Sequence, residues 1–334
     1  MRLGRRLRLL GRLAESLSAA NLLDCVPPQP RRHLVGELQL SRARTAAMLW
    51  TMDRVAAALN EAPYPRVLLK GAAYVGQDLS ISTGRLPSDL DILVPKIDIS
   101  DAQLRLKSAG WNEVELDNHD RRYYYEWSHE VPPMWHPLLT VELDLHHNIL
   151  PPVGRTPIDA DVLLSRLQPS KWATWQVLHP LDQVLHSAVH LFLDSEARDR
   201  MRDLVDLDGL FRHFGAHPDF WRDLPERAQE LGLGESLALA SHYTAIWLDT
   251  PMPEGFLRTI AAKGPTGWRR ASLLMMFDRI LIPTEPDQAA PWLQDIAAAL
   301  QLVRYHRQRM PIGSLLTHVW HKVRTSQADR RDVT

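Results

Sequence analysis

Two acids separated by one residue interrupt an apolar run in GRLPSDLDILVPK (84–96), where Asp89 and Asp91 stand among Leu90, Ile92, Leu93 and Val94. On a strand, alternate side chains share a face. Leu90, Ile92 and Val94 then point toward packed helices, and Asp89, Asp91 and Leu93 point the other way. The run TVELDLHHN (140–148) repeats the pattern, with Val141, Leu143 and Leu145 on one face and Glu142, Asp144 and His146 on the other. Two neighbouring strands of this kind would bring three carboxylates together. Such acids repel one another and raise each other's pKa. A divalent cation relieves the repulsion, and magnesium prefers hard carboxylate oxygens while keeping sites for water and phosphate. Three carboxylates, two metal ions and a nucleoside triphosphate make a phosphoryl-transfer site. The plain alternative is an exposed edge strand that happens to carry acids.

The flanking sequence supplies elements that could position these acids. Residues 1 to about 62 read as helical. In LVGELQLSRARTAAMLWTMDRVAAALNEA (34–62) apolar residues recur at helix-like intervals, and VPPQPRR (26–32) separates this helix from an earlier one. YPRVLLKG (64–71) changes character: Val67, Leu68 and Leu69 form a short run ended by glycine, as in a buried strand. AAYVGQDLS reads as a short helix and SDLDILVP as a second strand. DISDAQLRLKSAG (98–110) reads as a helix with Ser100 as its cap and Gly110 as its stop. WNEVELD, RRYYYEWS and LTVELDLHHNI are rich in β-formers and alternate.

After LPPVGRTP (150–157) the chain reads as successive helices, from PLDQVLHSAVHLFLD to PIGSLLTHVWHKVR, with no fixed repeat period. The expected class is α/β (α+β): a small mixed-sheet module at 63–157, embedded between an N-terminal helical segment (1–62) and a C-terminal all-helical domain (158–334).

Several other features invite chemistry and carry less. His186 and His190 share a helix face at i, i+4, but HSAVH lacks the glutamate that would suggest a zinc protease. Structural histidines hydrogen-bonded between domains are the default there. RRYYYEW (121–127) mixes cations with aromatics that could stack on a base, and a half-buried strand explains it equally well. KGPTGW (263–268) lacks the ending of a phosphate loop, and no G-x-G-x-x-G is present.

The 334 residues suffice for two domains, and 45% apolar with 24% charged residues is ordinary for a globular chain. A net charge of −1 argues mildly against a large nucleic-acid surface or general attraction to anionic membranes. The lone Cys25 excludes an intrachain disulfide and a cysteine-rich zinc site, and fits a reducing compartment. MRLGRRLRLLGRLAESLSAANLL is arginine-rich but lacks the continuous apolar core of a secretory signal. It is either a solvated helix face or a basic amphipathic helix for membrane or RNA. No 18-residue apolar run appears, so no transmembrane segment is expected and the location is read as cytoplasmic.

The set LLKGAAYVGQDLS, GRLPSDLDILV and VELDLHHNI resembles the nucleotidyltransferase superfamily that includes DNA polymerase β. More narrowly it is similar to a bacterial branch of largely uncharacterised nucleotidyltransferases. That branch carries an LKG-A turn, an arginine shortly before the paired acids, and a later acid-Leu-His strand. The motifs span 68–148, and weaker similarity continues through PLDQVLHSAVHLF and RDLVDLDGL.

The resemblance implies that the module at 63–157 is the catalytic domain. Asp89 and Asp91 would hold two Mg2+ (or Mn2+) ions. Asp144 would be the third carboxylate, with Glu142 its competitor; the acid directly before Leu-His fits the family strand better. Gly71 would let the backbone approach the triphosphate, and Lys70 and Arg85 would neutralise phosphate. Many members have Gly-Gly or Gly-Ser where this chain has Gly71-Ala72. His146 on the acidic face, and His190 and Arg202 as a cleft wall, are further candidates. The implied activity moves a nucleoside monophosphate from an NTP to a small-molecule, protein or RNA acceptor and releases pyrophosphate. The alternatives are a catalytically silent nucleotide-binding module that regulates a partner, and a toxin-like modifier of tRNA or protein. The oligomeric state is left open.

Overall fold

The computed structural model describes residues 1–116, 124–125, 128–151, 157–172, 174–195 and 198–309. The N-terminal segment forms α1 (Arg2–Arg6), α2 (Leu10–Ala19) and the long α3 (Pro28–Ala58). Pro28 opens α3, where its missing N–H leaves no intrahelical bond unmade. Leu10 and Ala14 of α2 meet Leu34 and Leu38 of α3 in a small core of their own. The far end of α3 delivers Met48, Met52, Val55 and Leu59 to the main core.

The arginines of the first helices face the protein's own acids. Arg5 Nε donates to Glu37 Oε1 at 2.7 Å, Arg6 pairs with Asp199 at 2.7 Å, and Arg12 pairs with Asp206 and donates to the Ile81 carbonyl at 2.7 Å.

A mixed seven-stranded sheet follows, built from β1 (Val67–Leu68), β2 (Asp89–Leu93), β3 (Asn112–Glu113), β4 (Met134–Trp135), β5 (Glu142–His146), β6 (Gln168–Pro169) and β7 (Gln176–Val177), in the order β3-β4-β5-β2-β1-β7-β6. β2 lies at the centre, antiparallel to β1 and parallel to β5. A parallel neighbour needs a crossover connection. The chain between β2 and β5 includes α5 (Ile99–Ser108), β3 and β4. α4 (Lys70–Gly76) follows β1 directly.

Two sequence expectations shift. Ser100 lies within α5, whose N-cap is Asp98 without a side-chain cap bond, whereas Gly110, at φ +95°, supplies the left-handed turn that ends the helix. The sheet also runs past 157. β7 pairs in parallel with β1, and β6 pairs with β7, so two strands of the sheet lie in the stretch expected to be all-helical. Both are two residues long, too short for an alternation pattern to register, and β6 ends on Pro169.

Beyond the sheet come α6 (Ala160–Leu164), α7 (Pro180–Phe192), α8 (Met201–Phe214), α9 (Phe220–Glu230), α10 (Gly234–Leu248), α11 (Glu254–Lys263), α12 (Gly267–Ile280) and α13 (Trp292–Arg309). α7 is buried on nearly every side, polar Asp182, Gln183, His186 and Ser187 included. Its Asp182 is fully buried and receives both Arg227 Nε (2.7 Å) and Nη2 (3.0 Å) from α9. No described helix is long and apolar enough to cross a membrane. The expected helix PIGSLLTHVWHKVR and most of RRYYYEW lie outside the described residues.

Candidate active site

Strand register brings the acids together. Asp89 stands opposite Glu142, Asp91 opposite Asp144, and Leu93 opposite His146 across the parallel β2–β5 pair. Residues two apart on a strand point the same way, so the three pairs share a face. Carboxylate oxygens of Asp89, Asp91 and Asp144 lie within 4.8 Å of one another. Glu142 is exposed at the start of β5 and falls outside that group. The set is all-oxygen, hard and concave, which suits Mg2+ or Mn2+.

The three acids do not have equal surroundings. The Leu69 amide donates to the Asp91 carbonyl at 3.0 Å, which locks the end of β1 beside Asp91. The next residue, Lys70, adopts a left-handed φ of 43° and sends Nζ to Asp91 Oδ1 at 2.8 Å. That conformation costs a non-glycine residue roughly 1–2 kcal/mol. His146 Nε2 lies 3.0 Å from the same oxygen. Burial pushes the Asp91 carboxyl up, but Lys70 and the His146 hydrogen bond outweigh it and hold the group well below the usual carboxylate range. Among the described residues no cation hydrogen-bonds to Asp144, and only the His146 charge opposes the rise in its pKa. Burial and the neighbouring Asp91 charge push it up to about 7. For His146, burial is opposed by the Asp91 hydrogen bond and by Glu130, and the net direction is upward.

The cavity beside Asp89 and Asp91 has a volume of about 360 Å³. Lys70, Gly71, Arg85, His190 and Arg202 line it, as do Arg8, Arg200, Asp203 and Asp206. The sequence-predicted Lys70, Gly71, Arg85, His190 and Arg202 therefore meet the paired acids in one place.

Arg85 is buried, with Nε donating to Asp206 Oδ2 at 3.0 Å and its guanidinium carbon 5.7 Å from the Tyr74 ring centre. Asp78, a loop acid much nearer in sequence, pairs with Lys171 at 2.9 Å. A Cβ on residue 71 would collide with the Arg85 guanidinium, which accounts for glycine there. His190 Nε2 accepts from Arg200 Nη2, 2.8 Å away, and burial together with Lys70 holds that imidazole well below its ordinary value. Burial likewise pushes His186 down to about 3. Both histidines are thus neutral, and His190 is engaged by an arginine.

Sequence reading missed Arg8, Arg12, Arg200 and Asp206. Asp206 had a local signal, since Asp203 and Asp206 lie three apart on the face of α8 that also follows Arg202. Arg8 had none. It reaches the cavity only because the N-terminal helices dock there, and burial followed by the nearby Arg202 charge lowers its pKa.

A family model described as "Uncharacterised nucleotidyltransferase" matches residues 1–249 of this chain. A solved structure, that of JHP933 from Helicobacter pylori, is similar at 15% identity and a TM-score of 0.33, covering 85% of this chain and 97% of that one. No curated protein gives a significant match.

Proposed function

We propose, from the premise that this chain belongs to the uncharacterised nucleotidyltransferase family, that it transfers a nucleoside monophosphate from an NTP to an acceptor nucleophile with release of pyrophosphate. The observation that carries the reading is the in-register meeting of Asp89, Asp91 and Asp144, with Asp89 and Asp91 lining a cavity that Lys70, Arg8, Arg85, Arg200 and Arg202 also line. An acceptor oxygen attacks the α-phosphorus, the bond from that phosphorus to the β-phosphate oxygen breaks, and pyrophosphate leaves. Asp89, Asp91 and Asp144 would hold Mg2+ or Mn2+, which when bound neutralises phosphate charge and polarises the α-phosphate.

The chain's own groups divide the remaining work. Asp144, the acid without a cationic partner, positions the acceptor and takes its proton. Arg85 and Arg202 face the β- and γ-phosphates, with Gly71 leaving room for the Arg85 guanidinium. Lys70 sets the position of Asp91. His190 is a wall of the cavity, and Glu142 has no part. The acceptor is a small molecule, a protein side chain or an RNA end.

A second reading, a catalytically silent nucleotide-binding module, is favoured by one observation. The Lys70 ammonium already sits on Asp91 Oδ1, where a cation is expected. A screen of the four labelled NTPs with Mg2+ or Mn2+, scoring pyrophosphate release and self-labelling in the natural chain and in Asp89→Asn, separates the two. Turnover lost in the variant supports the enzyme. Nucleotide binding without turnover by the natural chain supports the silent module.

A further inference from the structure

We propose that His129, Glu130 and His146 form a site for one transition-metal dication of the Zn2+ type, separate from the carboxylate cluster and joined to it through the His146 ring. One ligand atom from each of the three residues lies within 4.8 Å of the others. His146 Nδ1 and Glu130 Oε2 are 3.4 Å apart. Zinc–nitrogen and zinc–oxygen bonds of about 2.0–2.1 Å place tetrahedral ligands about 3.3–3.4 Å from each other. That pair therefore already spans one edge of a tetrahedron.

The backbone fixes all three residues. Glu130 and His146 form an antiparallel bridge, the His147 amide donates to the His129 carbonyl at 2.8 Å, and the Val131 amide donates to the Leu145 carbonyl at 3.0 Å. The donors are presented by strand-like chain rather than by a free loop.

The His146 ring joins two chemistries. Its Nε2 faces Asp91 Oδ1 at 3.0 Å and its Nδ1 faces Glu130. A metal-bound histidine ordinarily gives its other ring N–H to a carboxylate, and Asp91 stands in that place. Two imidazoles with one carboxylate prefer Zn2+ over Mg2+, the reverse of the all-aspartate cluster. His146 is buried, whereas His129 and Glu130 are half-buried and leave an approach from solvent. An ion here would keep Nε2–H of His146 directed at Asp91 and so hold one wall of the acid cluster in place. It is independent of the proposed nucleotide chemistry. The competing arrangement is a His146 imidazolium that bridges Asp91 and Glu130 and holds no metal.

Equilibrium dialysis of the metal-stripped full chain against Zn2+ in excess Mg2+, read by elemental mass spectrometry, tests the site without any activity measurement. One zinc per chain is expected in the natural protein and in Asp89→Asn. His129→Ala and Glu130→Gln should each lose affinity by at least ~10-fold, as even outer partners of metal ligands do. Circular dichroism melting checks that the variants fold, and Glu130→Gln carries the test if His129→Ala does not. Co2+ in place of Zn2+ should give the visible absorption of a tetrahedral ion. No retained zinc in the natural chain, zinc lost in Asp89→Asn, undiminished binding in folded Glu130→Gln, or an octahedral Co2+ spectrum would each overturn the assignment.

Discussion

Asp91 and Asp144 face each other in register across β2 and β5, yet Asp91 is clasped by Lys70 and His146 while Asp144 receives no side-chain hydrogen bond among the described residues. One strand pair thus holds a fixed anion beside an acid whose pKa is raised by burial and then by its neighbour's charge.

The paired acids of β2 should separate in their effect on stability. Asp89→Asn and Asp91→Asn are both expected to abolish nucleotidyl transfer. Asp89 is half-buried and bonded to the Ser88 hydroxyl at 2.6 Å, so its loss of charge should stay within about 0.5 kcal/mol. Asp91→Asn leaves the Lys70 ammonium without its carboxylate and should cost about 1.5–3 kcal/mol. Urea unfolding beside a pyrophosphate-release assay checks both. Full turnover in either variant removes that acid from the site.

Asp144 predicts a pH dependence. Its pKa in the metal-free fold is about 7, against an ordinary 3.8. Between those values the folded chain keeps a proton that the unfolded chain has lost, so this group's contribution to stability falls as pH rises from about 4 to about 7 and levels off above. Asp144→Asn cannot lose it. In chelator, the melting temperature of Asp144→Asn minus that of the natural chain should grow across this window, and Mg2+ should shrink the difference. A flat difference means that the Asp144 carboxyl is not raised.

The two acids of β5 should differ in turnover. Asp144→Ala is expected to be inactive, and Glu142→Ala, exposed and outside the acid group, to keep a kcat close to that of the natural chain. Steady-state kinetics on both variants decides. A dead Glu142→Ala would place the third acid at the start of β5 rather than beside Asp91.

Arg202 and Arg85 test the phosphate end of the cavity. Arg202→Ala should weaken binding of a non-hydrolysable NTP by about 1.5–3 kcal/mol, as a lost charged hydrogen bond does, and should lower the melting temperature, because Arg202 shares buried Asp203 with Arg200. Arg85→Ala should weaken binding and also lower the melting temperature, because it strips one of the two arginines that neutralise buried Asp206. Calorimetric titration reads the affinity. Unchanged affinity in both variants would put the triphosphate elsewhere.

Asp182 is a structural contrast. Asp182→Asn breaks a buried two-point pair with Arg227, away from the cavity lining, and should cost about 3–5 kcal/mol. Its kcat, measured below the melting transition, should match that of the natural chain.

The acid cluster was legible because period-two alternation in two short runs constrains which side chains share a face, and Asp89, Asp91 and Asp144 needed only the correct strand pairing to meet. Gly71 was legible as the stop of the first strand run, and the roles given to Lys70 and Gly71 came from the family resemblance of the LKG-A turn. Arg12 and Arg8 were not, and Asp206 had only its spacing from Asp203, because their meeting depends on how the N-terminal helices and α8 dock, and no local periodicity encodes docking. The zigzag of β6 and β7 was hidden by brevity. Arg85 was visible as a cation near the acids, but its burial against Asp206 was not, since its partner lies 121 residues away. His129 and Glu130 join His146 through a single bridge rather than a strand, too little pattern to read in advance.

Gly11 on α2 and Gly84 ahead of β2 approach backbone to backbone, so that a Cβ on either would strike the other's main chain, and Gly84 also needs its φ of +70°. The contact ties the history of the first helices to that of the acid-bearing strand. A recombination event that joined the sheet of one such protein to the leading helices of another would have to preserve two glycines some seventy positions apart, together with Arg12 and its acidic partner on α8. Those helices are therefore expected to be inherited with the sheet as one unit and not exchanged like an independent module. A chimera that replaces residues 1–20 with a related helix bearing alanine at position 11 should yield little folded protein, and restoring glycine there should rescue it.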